Sequence, residues 1–197
     1  MSWWQDQLQE YLQPSATAVC PRGSSPRQAS VLVLFTEHDH NPEIIFTLRA
    51  AHLSNHPGEV AFPGGMWEPG DKTLLDTGLR ESYEEIGLPP PVVKLLGSCQ
   101  PRSTIAGIQV TPFVGMIPAD VELTPNPAEL DAIFRVPLAA FRAGIQTRTD
   151  FFTHGGRSYH VPAYHHQGYE IWGFTAAVTS ELLLVLDETC DEPSLTQ

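Results

Sequence analysis

Basic residues are scarce in this chain. Lys and Arg total 11 against 23 Asp and Glu, for a formal charge of −12. No Lys/Arg-rich run occurs anywhere. Binding to a phosphate backbone draws on basic surface, so the composition argues against nucleic acid as a partner, and against an anionic membrane surface for the same reason. An acidic protein can still bind a small anion when metal ions mediate. Cysteine is also scarce. Cys20, Cys99 and Cys190 are odd in number and far apart, which fits neither a disulfide framework nor a zinc site and agrees with a reducing cytoplasm. No apolar run reaches membrane-spanning length, and SELLLVLD is far too short. The start, MSWWQDQLQEYLQP, lacks the basic residues and apolar stretch of a secretory signal. A cytoplasmic location is expected. There is no internal repeat.

What is present suits one globular domain. A chain of 197 residues with 42% hydrophobic content can bury one good core and is short for two. The spacing of Trp4, Leu8, Tyr11 and Leu12 predicts a helix over residues 3–12, ended by Pro14 and followed by a Pro-, Ser- and Gly-rich loop over 14–28. ASVLVLFT (29–36) and EIIFTL (43–48) read as a hairpin across the polar turn EHDHNP. A short extended piece is expected at 59–62, a helix at 73–86, and strands at 92–99 and 108–117. Pro112 implies an edge position or a bulge in the last of these. Residues 126–134 read as a short helix and 137–143 as a further turn. Phe151 to Thr153 and Tyr159 to Tyr164 read as a hairpin around His154-Gly155-Gly156-Arg157, and 170–174 as a strand. Thr175 to Leu186 reads as the last helix. The predicted class is α/β (α+β), a mixed sheet covered by helices. The organisation expected is an N-terminal helix and loop over 1–28, one domain over 29–187 and a short acidic tail over 188–197. The tryptophan-bearing N-terminal helix either covers the core or forms a homodimer contact.

The densest chemistry lies in GGMWEPGDKTLLDTGLRESYEEIGL, residues 64–88. Glu81, Glu84 and Glu85 stand at i, i+3 and i+4, so they share one helical face. Clustered carboxylates repel each other unless cations neutralise them, and hard divalent cations take oxygen ligands. The alternative is a solvated acidic face, which does not explain the glycines before and after the helix. Nor does it explain Gly78 inside it, which costs about 1 kcal/mol relative to Ala unless something packs very closely there. Gly64 and Gly65 suit a turn that presents a backbone carbonyl to an ion or lets the chain pass near a phosphate. Thr73 and Asp76 have capping-box spacing, and Gly87 before Pro89 is a stop signal. Arg80 is adjacent to Glu81 but is expected to point elsewhere, holding the preceding loop or pairing with one carboxylate.

This segment resembles the Nudix box, the diphosphate-hydrolase signature GX5EX7REUXEEXGU with U aliphatic. Arg80-Glu81, Glu84-Glu85, Gly87 and Leu88 match its second half. Ser82 replaces an aliphatic residue. One extra residue separates Gly65 from Arg80, so that Lys72 falls at the place of the first Glu and Asp71 is the nearest acid. Upstream, Arg49-Ala50, Leu53, His56, Gly58, Val60 and Phe62-Pro63-Gly64-Gly65 resemble RSxxLxxHxGxVxFPGG, the mark of the coenzyme A diphosphatase branch.

The resemblance implies a Nudix-like mixed β-sheet sandwiched between helices. It implies Mg²⁺- or Mn²⁺-dependent hydrolysis of the diphosphate of coenzyme A or its derivatives to 3',5'-ADP and 4'-phosphopantetheine. Glu81, Glu84 and Glu85 would hold the metals with a carbonyl near Gly64 or Gly65. Glu81 would also orient or deprotonate the water, and Arg80 would organise the site. A further acid downstream is common in the family, and Glu129 is the candidate, the alternative being a solvated helix residue. Arg49 is a candidate phosphate contact through its planar fork, or else a salt bridge that fixes the loop. His56 either orients the loop or meets substrate, and Arg102 is a further phosphate-contact candidate. His165 and His166 read as loop or surface residues, and the aromatics near 164–174 as core or interface. Rival readings are Nudix hydrolysis of NADH, ADP-ribose or a nucleotide triphosphate, and a non-catalytic nucleotide-binding domain.

Overall fold

The run SVLVLF within strand β1 (Arg27–Thr36) is apolar at every second position on both sides, so it must bury both faces. It does. Leu32 and Leu34 pack into one apolar cluster, Val33 and Phe35 into another, and all four are fully buried. The computed structural model describes residues 2–14, 27–154 and 157–187. Most of the loop predicted over 14–28, Cys20, Cys190, the tip of the 154–157 turn and the acidic tail lie outside the described residues.

Along the chain, α1 (Trp3–Tyr11) precedes β1. There follow β2 (Glu43–Arg49), β3 (Val60–Ala61), β4 (Gly64–Met66), α2 (Leu74–Ile86), β5 (Lys94–Ser98), β6 (Arg102–Ser103) and β7 (Ile108–Ile117). The chain continues through β8 (Leu130–Pro137), α3 (Leu138–Arg142), β9 (Gln146–His154), β10 (Arg157–His166), β11 (Tyr169–Ile171) and α4 (Gly173–Asp187). The main sheet runs β3-β2-β1-β7-β5, with β4 also on β1, β6 on β7 and β8 on β2. β1 and β7 are parallel through ten register pairs and the other pairings are antiparallel, so the sheet is mixed, as expected. β9, β10 and β11 form a second, antiparallel sheet.

Helices cover both faces. Leu74, Ile86 and Leu88 join Leu32, Leu34, Phe113 and Ile117 on the α2 side. Trp4, Leu8, Val178, Leu182 and Leu186 join Val33, Phe35, Val114 and Met116 on the other. α1 therefore covers the core. The Trp4 ring lies 5.4 Å from that of Phe35 and its indole N–H donates to the His38 carbonyl at 3.0 Å. Trp3 stays at the surface, where the Arg142 guanidinium lies 4.9 Å from its ring centre. Of the aromatics near the end, two tyrosines pack with the core, Tyr169 stacking on Phe134 at 4.0 Å and Tyr164 meeting Phe141 edge-on at 5.1 Å, while Trp172 is exposed.

Several sequence expectations need correction. Residues 126–134 do not form a helix. Asn126 makes one turn, its carbonyl accepting the N–H groups of Glu129 and Leu130, and from Leu130 the chain pairs along β2 through seven register pairs. The spacing of apolar residues there was compatible with either form, and pairing with β2 decided it. Residues 138–142 form a short helix rather than a turn. Val92 ends a 3₁₀ turn and the strand begins at Lys94, while Phe174 belongs to α4. His165 and His166 lie within β10 opposite Glu170 and Tyr169 rather than in a loop, with His165 at the surface as its alternative reading had it. Pro112 is neither on an edge nor at a bulge, since β7 lies between β1 and β5. Its carbonyl accepts the Cys99 N–H at 2.9 Å, so its missing N–H faces the break between β5 and β6, where no ladder donor is needed.

Candidate active site

Helix α2 carries the site, and its ends are firmly set. Thr73 Oγ1 accepts the Asp76 N–H at 3.1 Å and the Asp76 carboxylate accepts the Thr73 N–H at 2.9 Å, a reciprocal capping box. Gly87 ends the helix in the left-handed conformation at φ 68°. Gly78 faces β1. A methyl group there would lie 2.7 Å from Ser30 Oγ and 3.4 Å from Leu32, so the close packing expected of an interior glycine is present.

The glycine loop meets the helix through carboxylates. Gly64 adopts φ 152° with its α-carbon so near β1 that a Cβ would lie 2.2 Å from the Ser30 carbonyl oxygen. Its N–H donates to Glu85 Oε2 at 3.0 Å. At Gly65 a Cβ would sit 2.4 Å from the Glu81 carboxyl carbon. Any larger residue would displace the Glu81 carboxylate.

The three glutamates differ in surroundings. Glu85 is 3% exposed. Burial pushes its carboxyl up to about 8; the Gly64 N–H and Arg49 oppose the rise, and Glu81 and Glu129 add to it. Glu81 is half-buried and is also raised, first by burial and then by Glu84 and Glu129, against the pull of Arg80. Glu84 lies at the solvent edge.

Arg80 does not point away from the carboxylates; it both holds the preceding loop and pairs with carboxylates, the two roles expected as alternatives. Its NH1 donates to Glu81 Oε1 and Glu84 Oε2, each at 3.0 Å. Its Nε and NH2 grip the two oxygens of Asp71, each at 3.0 Å, and NH2 also reaches the Met66 carbonyl at 3.2 Å. A long side chain on the same face reaches one turn onward, which adjacency in sequence had hidden. Asp71 is further held by Thr77 Oγ1 at 2.8 Å. Burial opposes its charge, but these bonds outweigh it and keep the carboxyl below the usual range.

Glu129 reaches the same place from a turn rather than a helix. Its charge acts on both Glu81 and Glu85. The Asn126 N–H donates to the Glu85 carbonyl at 2.8 Å and its side-chain amide lies 3.3 Å from Glu129 Oε1, tying that turn to the end of α2. Arg49, at the end of β2, also acts on Glu85, and its Nε is buried without a hydrogen-bond partner. The Ala50 N–H donates to the Glu129 carbonyl at 2.8 Å, joining these two segments. His56 stands apart on the exposed loop after Arg49, with positive φ and its Nδ1 2.9 Å from Glu59 Oε2. Arg102 is not brought to the carboxylates; it pairs with Glu181 of α4 on the other side of the sheet. The Asp71 and Asn126 contacts had no clear signal beyond the shifted acid in the box and an Asn-Pro turn.

The donor set fits a hard divalent cation. It consists of carboxylate oxygens, and one of them is buried with a single hydrogen-bond donor. A cation there would offset the burial that chiefly raises Glu81 and Glu85, and the mutual repulsion that adds to it. The side chains are not gathered into a ready cage: among the described residues no group of three His, Cys, Asp or Glu side chains converges on one point. Arg80 instead holds one oxygen each of Glu81 and Glu84, which leaves the second oxygen of each for an ion.

Comparison with known proteins follows this geometry. A family model described as NUDIX domain matches residues 26–154, from β1 to β9. A protein of Enterobacter sp. (strain 638) described as an uncharacterized Nudix hydrolase, NudL, is 38% identical over 159 residues, 80% of this chain and 82% of that one. The NudL protein of Cronobacter sakazakii is 39% identical over 163 residues, 82% and 84% of the two chains. A MutT/nudix family protein from Enterococcus faecalis shares the fold, with a TM-score of 0.52 at 17% identity over 84% of this chain and 62% of that one. The matched stretch contains β1, the glycine loop and all of α2, and on these grounds the chain belongs to the Nudix hydrolase family.

Proposed function

We propose that this hydrolase cleaves the diphosphate linkage of coenzyme A or its derivatives, giving 3',5'-ADP and 4'-phosphopantetheine or its acyl form. The observation that carries the substrate is continuity. Arg49, where the upstream signature begins, acts on buried Glu85, and the signature ends at Gly64 and Gly65 against Glu85 and Glu81. The upstream signature and the acidic face of α2 are thus adjacent in the fold, which supports reading them as one site. The largely exposed loop that follows Arg49 carries Leu53, His56 and Gly58 of the same signature and would meet the part of the substrate beyond the diphosphate.

Glu81, Glu84 and Glu85 would hold Mg²⁺ or Mn²⁺ with the backbone at Gly65. A bound divalent ion supplies charge neutralisation on the diphosphate and makes water a better nucleophile near neutral pH. Glu81 and Glu129 are the candidates to orient the attacking water or take its proton; the Glu81 carboxyl is raised by burial and in part by the charge of Glu129. Glu85, raised by burial, must lose its proton to serve as a ligand. Arg80 is a positioning residue, fixed by Asp71 so that its remaining N–H groups align Glu81 and Glu84. Arg49 presents the planar donor fork that suits a phosphate. Positioning and electrostatics carry most phosphoryl-transfer catalysis, so this division of labour is sufficient. The scarce cysteines and acidic surface support action on a small molecule in the cytoplasm by one catalytic domain over residues 29–187.

The test is turnover of coenzyme A against NADH, ADP-ribose and nucleotide triphosphates with Mg²⁺ and with Mn²⁺. Preference for coenzyme A is expected. Strong turnover of NADH or ADP-ribose without turnover of coenzyme A would replace the substrate while keeping the chemistry.

A further inference from the structure

Strand β8 meets β2 with one residue to spare. Leu48 lies opposite Ala132 and Arg49 opposite Leu130, so Asp131 is passed over in the ladder. It is the extra residue of a β-bulge, a device that re-aims side chains and is common beside active sites. The Asp131 carboxylate is aimed at the chain leaving β2, where its Oδ2 accepts the Ala51 N–H at 3.0 Å. Glu129, the candidate acid downstream of the box, stands two residues before it.

Two further bonds join the same segments. The Ala50 N–H donates to the Glu129 carbonyl at 2.8 Å. His52 Nε2 lies 3.1 Å from the Ala128 carbonyl, which can only accept, so this nitrogen carries a proton and donates. Residues 50, 51 and 52 thus each grip the segment 128–131. Asn126 holds that segment from the other side. Its N–H donates to the Glu85 carbonyl at 2.8 Å and its side-chain oxygen accepts the Ala128 N–H at 3.1 Å. Glu129 is therefore held between the end of α2 and the loop that follows Arg49.

That loop is closed by its own bonds. The Arg49 N–H donates to the Glu59 carbonyl at 3.0 Å, and the Gly58 N–H donates to the Arg49 carbonyl at 3.1 Å. The Leu53 N–H donates to the Ala50 carbonyl at 3.2 Å. None of these reaches the Glu129 turn. Among the described residues, the side-chain bonds that tie residues 50–52 to that turn come from Asp131 and His52.

We propose that Asp131 is a positioning residue for hydrolysis. Through its bulge it locks the loop after Arg49 to the turn that carries Glu129, and His52 fastens the same joint beside it. This rests on the reading of Glu129 as a group that orients the attacking water or takes its proton. Releasing the joint lets Glu129 drift from the reacting geometry, and small displacements of that kind are costly in rate.

The test is a set of kcat measurements with Mg²⁺ on whichever of coenzyme A, NADH, ADP-ribose and the nucleotide triphosphates the wild type turns over fastest. The variants are D131A, D131N, H52A, E129Q, D131A/E129Q and H52A/E129Q. Asp131 and His52 are exposed, and a melting curve establishes that each variant is folded. D131A should lower kcat about tenfold and H52A about threefold. D131N should stay within about twofold of the wild type, because its amide oxygen can still accept the Ala51 N–H. In the E129Q background D131A and H52A should each cost less than about twofold, since the group they position is already gone.

A folded D131A or H52A with wild-type kcat would overturn the proposal while the hydrolase reading stands. So would a D131N as slow as D131A, or a D131A loss undiminished by E129Q. E129Q with wild-type kcat would overturn the reading of Glu129, and the positioning role with it. A wild type that turns over none of these compounds would overturn the hydrolase reading itself.

Discussion

Arg80 and Asp71 are joined by two parallel hydrogen bonds of 3.0 Å, nine residues apart in sequence. Lys72 occupies the position where the Nudix box has its first Glu. The extra residue in this chain shifts the acid by one, and Asp71 fills the seat beneath the arginine. This pairing fixes the end of the guanidinium that does not touch Glu81 and Glu84.

Replacing Asp71 by Asn or Ala should therefore loosen Arg80 without unfolding the domain. A loss of about 10- to 100-fold in kcat/KM or metal affinity is expected, the range for partners that orient metal ligands. Lys72→Glu should change activity by only about twofold, because its side chain does not occupy the seat. Steady-state kinetics with titrated Mn²⁺ and a melting curve for each variant check both. A Lys72→Glu loss as large as that of Asp71→Asn would refute the assignment.

Glu84→Gln, Glu81→Gln and Gly65→Ala attack the carboxylates in different ways. The first two remove charge. The third introduces a methyl group 2.4 Å from the Glu81 carboxyl carbon. All should lower kcat by about 100-fold or more while thermal melting stays cooperative. Glu129→Gln should also reduce kcat; unchanged kcat would return Glu129 to the role of a solvated residue.

The buried carboxyl of Glu85 predicts a pH dependence in metal-free protein. Its folded pKa, about 8, lies above the ordinary value of 4.5. Between those values the folded state holds the proton more tightly than the unfolded state. The contribution of Glu85 to stability is thus fully present below pH 4.5 and falls as pH rises through 8. With chelator present, the wild type should lose melting temperature relative to Glu85→Gln as pH rises from 5 to 8, the window these two values define. Added Mn²⁺ should raise the melting temperature of the wild type more at the upper end of that window, because binding displaces the proton.

Gly78 allows α2 to approach β1. Gly78→Ala would place a methyl group 2.7 Å from Ser30 Oγ. It should destabilise by about 1–3 kcal/mol although Ala favours a helix. Ser30 Oγ is buried with no hydrogen-bond partner. Ser30→Ala should therefore be neutral or stabilising alone and should relieve part of the cost in the double variant. Urea denaturation of the four proteins gives the coupling.

The sequence was most legible where pattern and tertiary demand agreed. The run of β1 had to bury two faces, and α2 carried a cap, a stop and a charged face, so both appear where expected. It misled where local spacing was ambiguous. Residues 126–134 have apolar positions compatible with a helix, but pairing with β2 turns them into β8. The three α2 glutamates lie on the expected face, and Arg80 fills both roles offered for it, but its bonding of two glutamates and Asp71 at once was not legible, because adjacency in sequence says nothing of where a long side chain ends. Glu129 was found through its acidic character, on the wrong element. Arg102 was misplaced because a strand-end arginine gives no sign of the helix that will pair with it.

Turnover of coenzyme A in ¹⁸O-labelled water with Mg²⁺ tests the central claim most directly. The proposed function predicts 3',5'-ADP and 4'-phosphopantetheine, with the label in one product's phosphate, and no reaction when a chelator removes the metal or when Glu84 is Gln. Absence of these products from folded, metal-loaded protein, or undiminished turnover by Glu84→Gln, would contradict it.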